Sequence, residues 1–191
     1  MIVSMIMDAC DGEEILAGAS AGAQALSKLI GVVSEEYGMT VVVLDFKEIS
    51  VATASFLREA VLGFRDYCRN SRPNLYPVLA NVGVKVREEL DGLLQLKGDA
   101  VVVCDLNGSG NVKNAAIVGK LDPKQKITLA AVLKARRADA TSLAAHDREL
   151  KNPTAWNNRL ASLAAKGILR ETQTGRSKTY EPVVEALAYG H

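Results

Sequence analysis

Residues 152–182 read NPTAWNNRLASLAAKGILRETQTGRSKTYEP. Asn152 followed by Pro153 is a strong helix start. An amide side chain suits the N-cap, and proline is at home in the first helical position. Lys166-Gly167 marks the stop, with a cation in the last turn and a glycine able to take the left-handed conformation that ends a helix. Between these signals Trp156, Leu160 and Leu163 fall at i, i+4 and i+7, an apolar stripe that must face other helices. Thr154, Asn157, Asn158 and Ser162 then point outward. ILRETQTGRSKTYEPV (168–183) alternates in polarity and reads as a hairpin turning around Thr174-Gly175.

Upstream, PKQKITLAAVLKARRA (123–138) predicts a helix with Ile127, Leu129, Ala130 and Leu133 on its apolar face. ATSLAAHDREL (140–150) predicts a second, shorter one capped by Thr141. Arg136-Arg137 reads as a pair of cations favoured by a helix C-terminus. Asp122-Pro123 is the natural boundary, dividing the chain into residues 1–121 and 122–191. Residues 1–121 hold 11 Lys and Arg against 15 Asp and Glu, while residues 122–191 hold 12 against 7. A basic segment thus follows an acidic one.

LASLAAKGILRETQTGRSKTYEP resembles the recognition-helix end and wing of winged helix-turn-helix regulators. The likeness rests on the helix-ending Lys166-Gly167, the apolar pair Ile168-Leu169, and the Gly175-Arg176 turn before Tyr180. It implies a DNA-binding fold with double-stranded DNA as partner. A major groove accepts one helix, whose N-terminal side chains reach base edges. Asn157 and Asn158 each carry donor and acceptor together, the pairing suited to adenine, while Thr154 suits a thymine methyl or a phosphate. Arg159 suits guanine or the backbone. Arg176 and Lys178 at the wing tip, with Lys151 before the helix, suit phosphate or minor-groove contact. Readers of this kind commonly meet paired half-sites, which points to a homodimer.

The first 121 residues alternate strand and helix signals. MIVSMIM (1–7), MTVVVLDF (39–46), NLYPVLANV (74–82) and DAVVVCDL (99–106) read as strands, with Pro77 suggesting an edge or a bulge. GEEILAGASAGAQALSKLIGVVSEEYG (12–38) reads as a helix through Ile15, Leu26, Leu29 and Ile30. Its Gly18 and Gly22 mark either a loop before the helix proper or a close approach to the sheet. Residues from about Thr53 to Asn70 form a helix with Phe56, Leu57, Ala60, Val61 and Phe64 in one stripe. Residues 85–98 form another through Val86, Leu90, Leu93 and Leu94. NGSGN (107–111) turns the chain into VKNAAIVGKL (112–121), an antiparallel return. The fold class is therefore α/β with a mixed sheet.

VVVLDFKEISVATASFLREAV (41–61) resembles STAS-like domains, in which a strand ending in Asp-Phe leads to a helix opening with Ser-Phe and then an acid. The matching positions are Asp45, Phe46, Ser55, Phe56 and Glu59. In anti-sigma factor antagonists of this type a serine at the helix start is phosphorylated by a partner kinase. Here Ala54 holds the usual phosphoacceptor place, and Thr53 replaces the acid before it. The resemblance implies that a phospho-switch would use Thr53 or Ser55, with the phosphate at a helix N-terminus. The plainer use of Ser55 is to cap the helix or turn inward.

These readings favour a DNA-binding transcription regulator of bacterial type with a STAS-like sensing or dimerisation domain. The alternative is a partner-switch protein that binds a kinase-like anti-sigma factor without DNA. No catalytic set is expected. Cys10, Cys68 and Cys104 stand far apart and His146 and His191 are isolated, so metal-ligand and nucleophile-base patterns are lacking. No P-loop or dinucleotide fingerprint follows a strand, and no cofactor is expected. No apolar run reaches the roughly 18 residues of a membrane span. MIVSMIMDAC has no basic n-region, so the expectation is a cytoplasmic protein without signal peptide.

Overall fold

Short, largely apolar runs at 40–45, 75–80 and 100–106 build the middle of the molecule. The computed structural model describes residues 1–34, 38–147 and 151–188. Strands β1 (Ile2–Met5), β3 (Thr40–Asp45), β5 (Leu75–Ala80), β6 (Ala100–Leu106) and β7 (Val112–Gly119) form one sheet in the order β1-β3-β5-β6-β7. The first four run parallel, and β7 returns antiparallel to β6. A single helical turn, α1 (Ile6–Ala9), follows β1, and a separate two-residue pair joins β2 (Ile15–Leu16) to β4 (Val51–Ala52). The chain is thus α/β with a mixed sheet, as its alternating pattern implies.

The period of two along each strand divides the core in two. Val42, Leu44, Leu75, Leu79, Val101 and Val103 face helices α2 (Ala19–Val32), α3 (Ala54–Leu57), α4 (Gly63–Ser71) and α5 (Val84–Lys97). Val43, Tyr76, Val78, Ala80, Ala100, Val102 and Cys104 face the other way, onto Leu129, Val132, Leu160, Leu163, Leu169 and Tyr180. The sheet is therefore the middle of three layers, and residues after Asp122 supply the third.

Pro77 lies in a central strand. It is tolerated because β6 begins to pair with β5 only at Leu79, beyond the point where the missing N–H would matter. The first long helix begins at Ala19; Ile15 belongs to β2 and is 63% exposed. Gly18 sits before the helix at φ +89°, whereas Gly22 lies inside it. A Cβ on Gly22 would stand 2.8 Å from the Phe56 carbonyl oxygen and 2.9 Å from Glu59 Cβ. Gly22 thus permits a close helix–helix approach, not an approach to the sheet. Opposite it, α3 passes through a π turn (Arg58–Leu62) into α4.

After Asp122 come α6 (Pro123–Ala135), α7 (Ala140–His146), α8 (Pro153–Ala165) and the hairpin β8 (Leu169–Thr174)–β9 (Ser177–Pro182). Asp122 and Gln125 close a reciprocal cap on α6. The buried stripe of α6 is Gln125, Thr128, Leu129 and Val132, and Ile127 is 59% exposed. The Thr128 hydroxyl is satisfied by the Lys124 carbonyl at 2.8 Å, which lets a polar side chain replace an apolar one inside. Asp139, not Thr141, caps α7, its carboxylate accepting from Thr141 N and Ser142 N at 2.9 Å. Residues 148–150 of the expected helix lie outside the described residues. Ala138 pairs with Tyr180 by two backbone hydrogen bonds, of 3.0 and 2.8 Å, adding a one-residue third strand to the hairpin. Among the described residues no helix is long and apolar enough to cross a membrane.

Candidate nucleic-acid interface

Helix α8 starts where its sequence says it should. The Asn152 carboxamide oxygen accepts from Thr154 N at 2.9 Å, and Pro153 follows as the first helical residue. Trp156, Leu160 and Leu163 are buried, so the helix is locked in rotation about its axis. Lys151, Thr154 and Asn158 are consequently exposed at its N-terminal end, and Asn157 and Arg159 are half-buried. The Arg159 guanidinium lies over the Trp156 ring, 5.4 Å from its centroid. This packs the arginine's flat face without burying its charge. Asn157 Oδ1 accepts from the Tyr180 hydroxyl at 3.5 Å, so its amide leans toward the hairpin and is only partly available outward. Ser162 was expected to point outward but is turned in, its hydroxyl taking a hydrogen bond from Gln125 Nε2 at 2.8 Å.

The hairpin brings two more cations to the surface. Arg176 and Lys178 are exposed on either side of Ser177, just past Gly175 at φ +62°. Lys178 Nζ is paired with Glu171 Oε1 across the strands at 2.7 Å. Arg137 reaches the hairpin as well, donating to Thr179 Oγ1 at 2.8 Å. The Tyr180 phenol, buried against these strands and beside the Glu171 carboxylate, is pushed above its usual pKa and stays protonated.

The far end of α8 is tied to the sheet. Lys166 Nζ binds Asp99 Oδ1 at 2.8 Å and the Gly98 carbonyl at 3.2 Å, and Asp99 Oδ2 takes Arg65 Nη2 at 2.8 Å. Beside it, Glu171 N donates to the Tyr76 hydroxyl at 3.0 Å, and Arg69 covers the Tyr76 ring at 4.3 Å. The sequence carries no pattern that singles out Tyr76, Asp99 or Lys166 as partners, because the pairs are separated by 67 and 95 positions.

The candidate phosphoacceptors lie elsewhere, at the start of α3. Thr53, not Ser55, is the cap. Its hydroxyl accepts from Phe56 N at 3.4 Å and Gly18 N at 3.2 Å, and it meets the Ser55 hydroxyl at 3.1 Å. Both side chains are half-buried. Asp45 is also engaged structurally, its Oδ1 accepting from Lys47 N at 2.9 Å and Asn81 Nδ2 at 2.8 Å. Burial raises the thiols of Cys10 and Cys104 to about 11 and that of Cys68 to about 12, which keeps them protonated and unreactive at neutral pH. Among the described residues no group of three or more His, Cys, Asp or Glu side chains is placed to hold a metal ion. Compared with known proteins, the chain matches no family model, no curated protein and no solved structure.

Proposed function

We propose that this protein is a transcription regulator whose residues 122–191 form a winged helix-turn-helix that binds double-stranded DNA. In this reading α8 is the recognition helix and the β8–β9 hairpin is the wing. The observation that carries the reading is the division of labour along α8. Its C-terminal end is bonded to the sheet through Lys166, while its N-terminal end presents Lys151, Thr154 and Asn158 to solvent. A helix held in this way can enter a major groove end-on without losing its own packing. Arg176 and Lys178 then meet phosphates. Residues 1–121 serve as a STAS-like platform for sensing or dimerisation. Thr53 acts there as a helix cap, which gives the partner-switch alternative no specific support.

The test is selection of duplexes from a random pool, followed by binding titrations over a range of salt. The expected result is duplex binding that weakens steeply with salt, since Lys and Arg displace counterions. Arg176→Ala with Lys178→Ala should weaken binding to all duplexes and flatten the log–log salt slope by about 2. Asn158→Ala should instead relax base preference with a smaller loss of affinity. Asn157→Ala should act less on preference than Asn158→Ala, because its amide is shared with Tyr180. A palindromic selected site would identify a homodimer. Absence of duplex binding at low salt would overturn the proposal.

A further inference from the structure

On the face of the hairpin that carries Arg170 and Glu181, at the edge of the apolar core, lies a cleft of about 490 Å³. Three chain segments wall it: the end of α6 with Leu133, Arg136 and Arg137, the strand pair with Arg170 and Glu181, and the C-terminal stretch with Glu185 and Leu187. Leu187 is buried and bridges to Ala115 of β7, where Ala188 N also donates to the Ala115 carbonyl at 3.0 Å. The cleft is therefore anchored on the sheet as well as on the hairpin.

Its charge is unbalanced. Three guanidiniums face two carboxylates, and among the described residues one ion pair links them, Arg170 Nη2 to Glu181 Oε1 at 3.1 Å. Arg170 Nε is buried and has no hydrogen-bond partner among the described residues. Arg136 is exposed, and its side chain makes no hydrogen bond or ion pair with any described residue. It also sits at φ +62°, ψ −36°, a conformation that a side chain other than glycine adopts at a cost. Nothing in the fold of α6 needs arginine there, since glycine would hold this turn with less strain.

We propose that this cleft binds a small organic anion, a carboxylate or phosphate monoester carrying a compact apolar body. The guanidiniums of Arg136 and Arg170 match the oxygens of such a headgroup. Leu133 and Leu187 accept the apolar part. The volume falls within the range of small-molecule sites. A concave recess with an apolar floor suits a small ligand better than a duplex phosphate, which meets protruding charges such as Arg176. The inference is independent of the duplex reading and would stand if no DNA were bound.

The test uses the full chain at constant ionic strength. Phenyl phosphate and phenylacetate are titrated separately, with chloride as the control, following the Arg170 side-chain Nε–Hε resonance and thermal unfolding. The expected result for at least one of the two probes is a saturable shift of that resonance and a raised Tm. Arg136→Gly relieves the strained turn, so it should unfold no lower than the parent while binding the probe about tenfold more weakly. The proposal is overturned if both probes shift the resonance no more than chloride does. It is equally overturned if Arg136→Gly binds the probes as the parent does, or if Arg170 responds to duplex DNA and to neither probe.

Discussion

Asp99 holds two cations drawn from opposite layers, Arg65 of α4 and Lys166 at the end of α8, each at 2.8 Å. Burial opposes its ionisation, but hydrogen bonds from Lys166 and Arg65 outweigh that and keep the carboxyl below its ordinary value. Arg65 is affected in the complementary way: burial disfavours its charge, and Asp99 and Asp66 more than restore it. A folded-state pKa below the unfolded one stabilises the fold at every pH above the unfolded value, about 3.9. That contribution is lost as pH falls through the folded value. Asp99→Asn should therefore cost about 2–4 kcal/mol near neutrality, because at a largely buried site it strands Lys166 and leaves Arg65 only the more exposed Asp66. The difference from the parent should shrink below about pH 4. Thermal unfolding from pH 7 to pH 3 checks this; an equal deficit across the range would show that Asp99 acts by packing and not by charge.

Helix α8 illustrates which features a local reading can reach. The cap at Asn152, the proline after it, the stripe through Trp156, Leu160 and Leu163, and Gly167 at φ +76° were all legible, because each follows from backbone geometry within one or two turns. Asn152→Ala should accordingly cost about 1 kcal/mol, visible as a lower urea midpoint at unchanged slope. A loss of less than a few tenths would mean that the carboxamide cap is not used. The settings of Ser162, Asn157 and Pro77 lie beyond a local reading for the opposite reason. Ser162 is set by Gln125 on another helix, Asn157 by Tyr180 on the hairpin, and Pro77 by where β6 begins to pair. None of these partners lies within the turn or strand that carries the residue.

The sheet has no free face along its central strands. Val43, Tyr76, Val78, Ala100 and Val102 are buried by side chains from after Asp122, and each large apolar side chain so covered is worth about 1.5–3 kcal/mol. The full chain should therefore unfold in one cooperative calorimetric transition. Residues 1–121 alone should expose that face, and so bind a hydrophobic dye and aggregate. Two well-separated transitions, or a stable monodisperse fragment, would refute this coupling. The alternation of strands and helices, the antiparallel return after Asn111 and the three-helix-plus-hairpin order were determined by the chain itself, because hydrophobic period and turn chemistry act over a few residues. Only the tertiary structure decided that the end of α8 is clamped at Asp99 and β8 at Tyr76, that the third layer covers the sheet, and that three arginines meet in one cleft. Those contacts join positions far apart in the chain, and no local pattern encodes which distant surface a segment will meet.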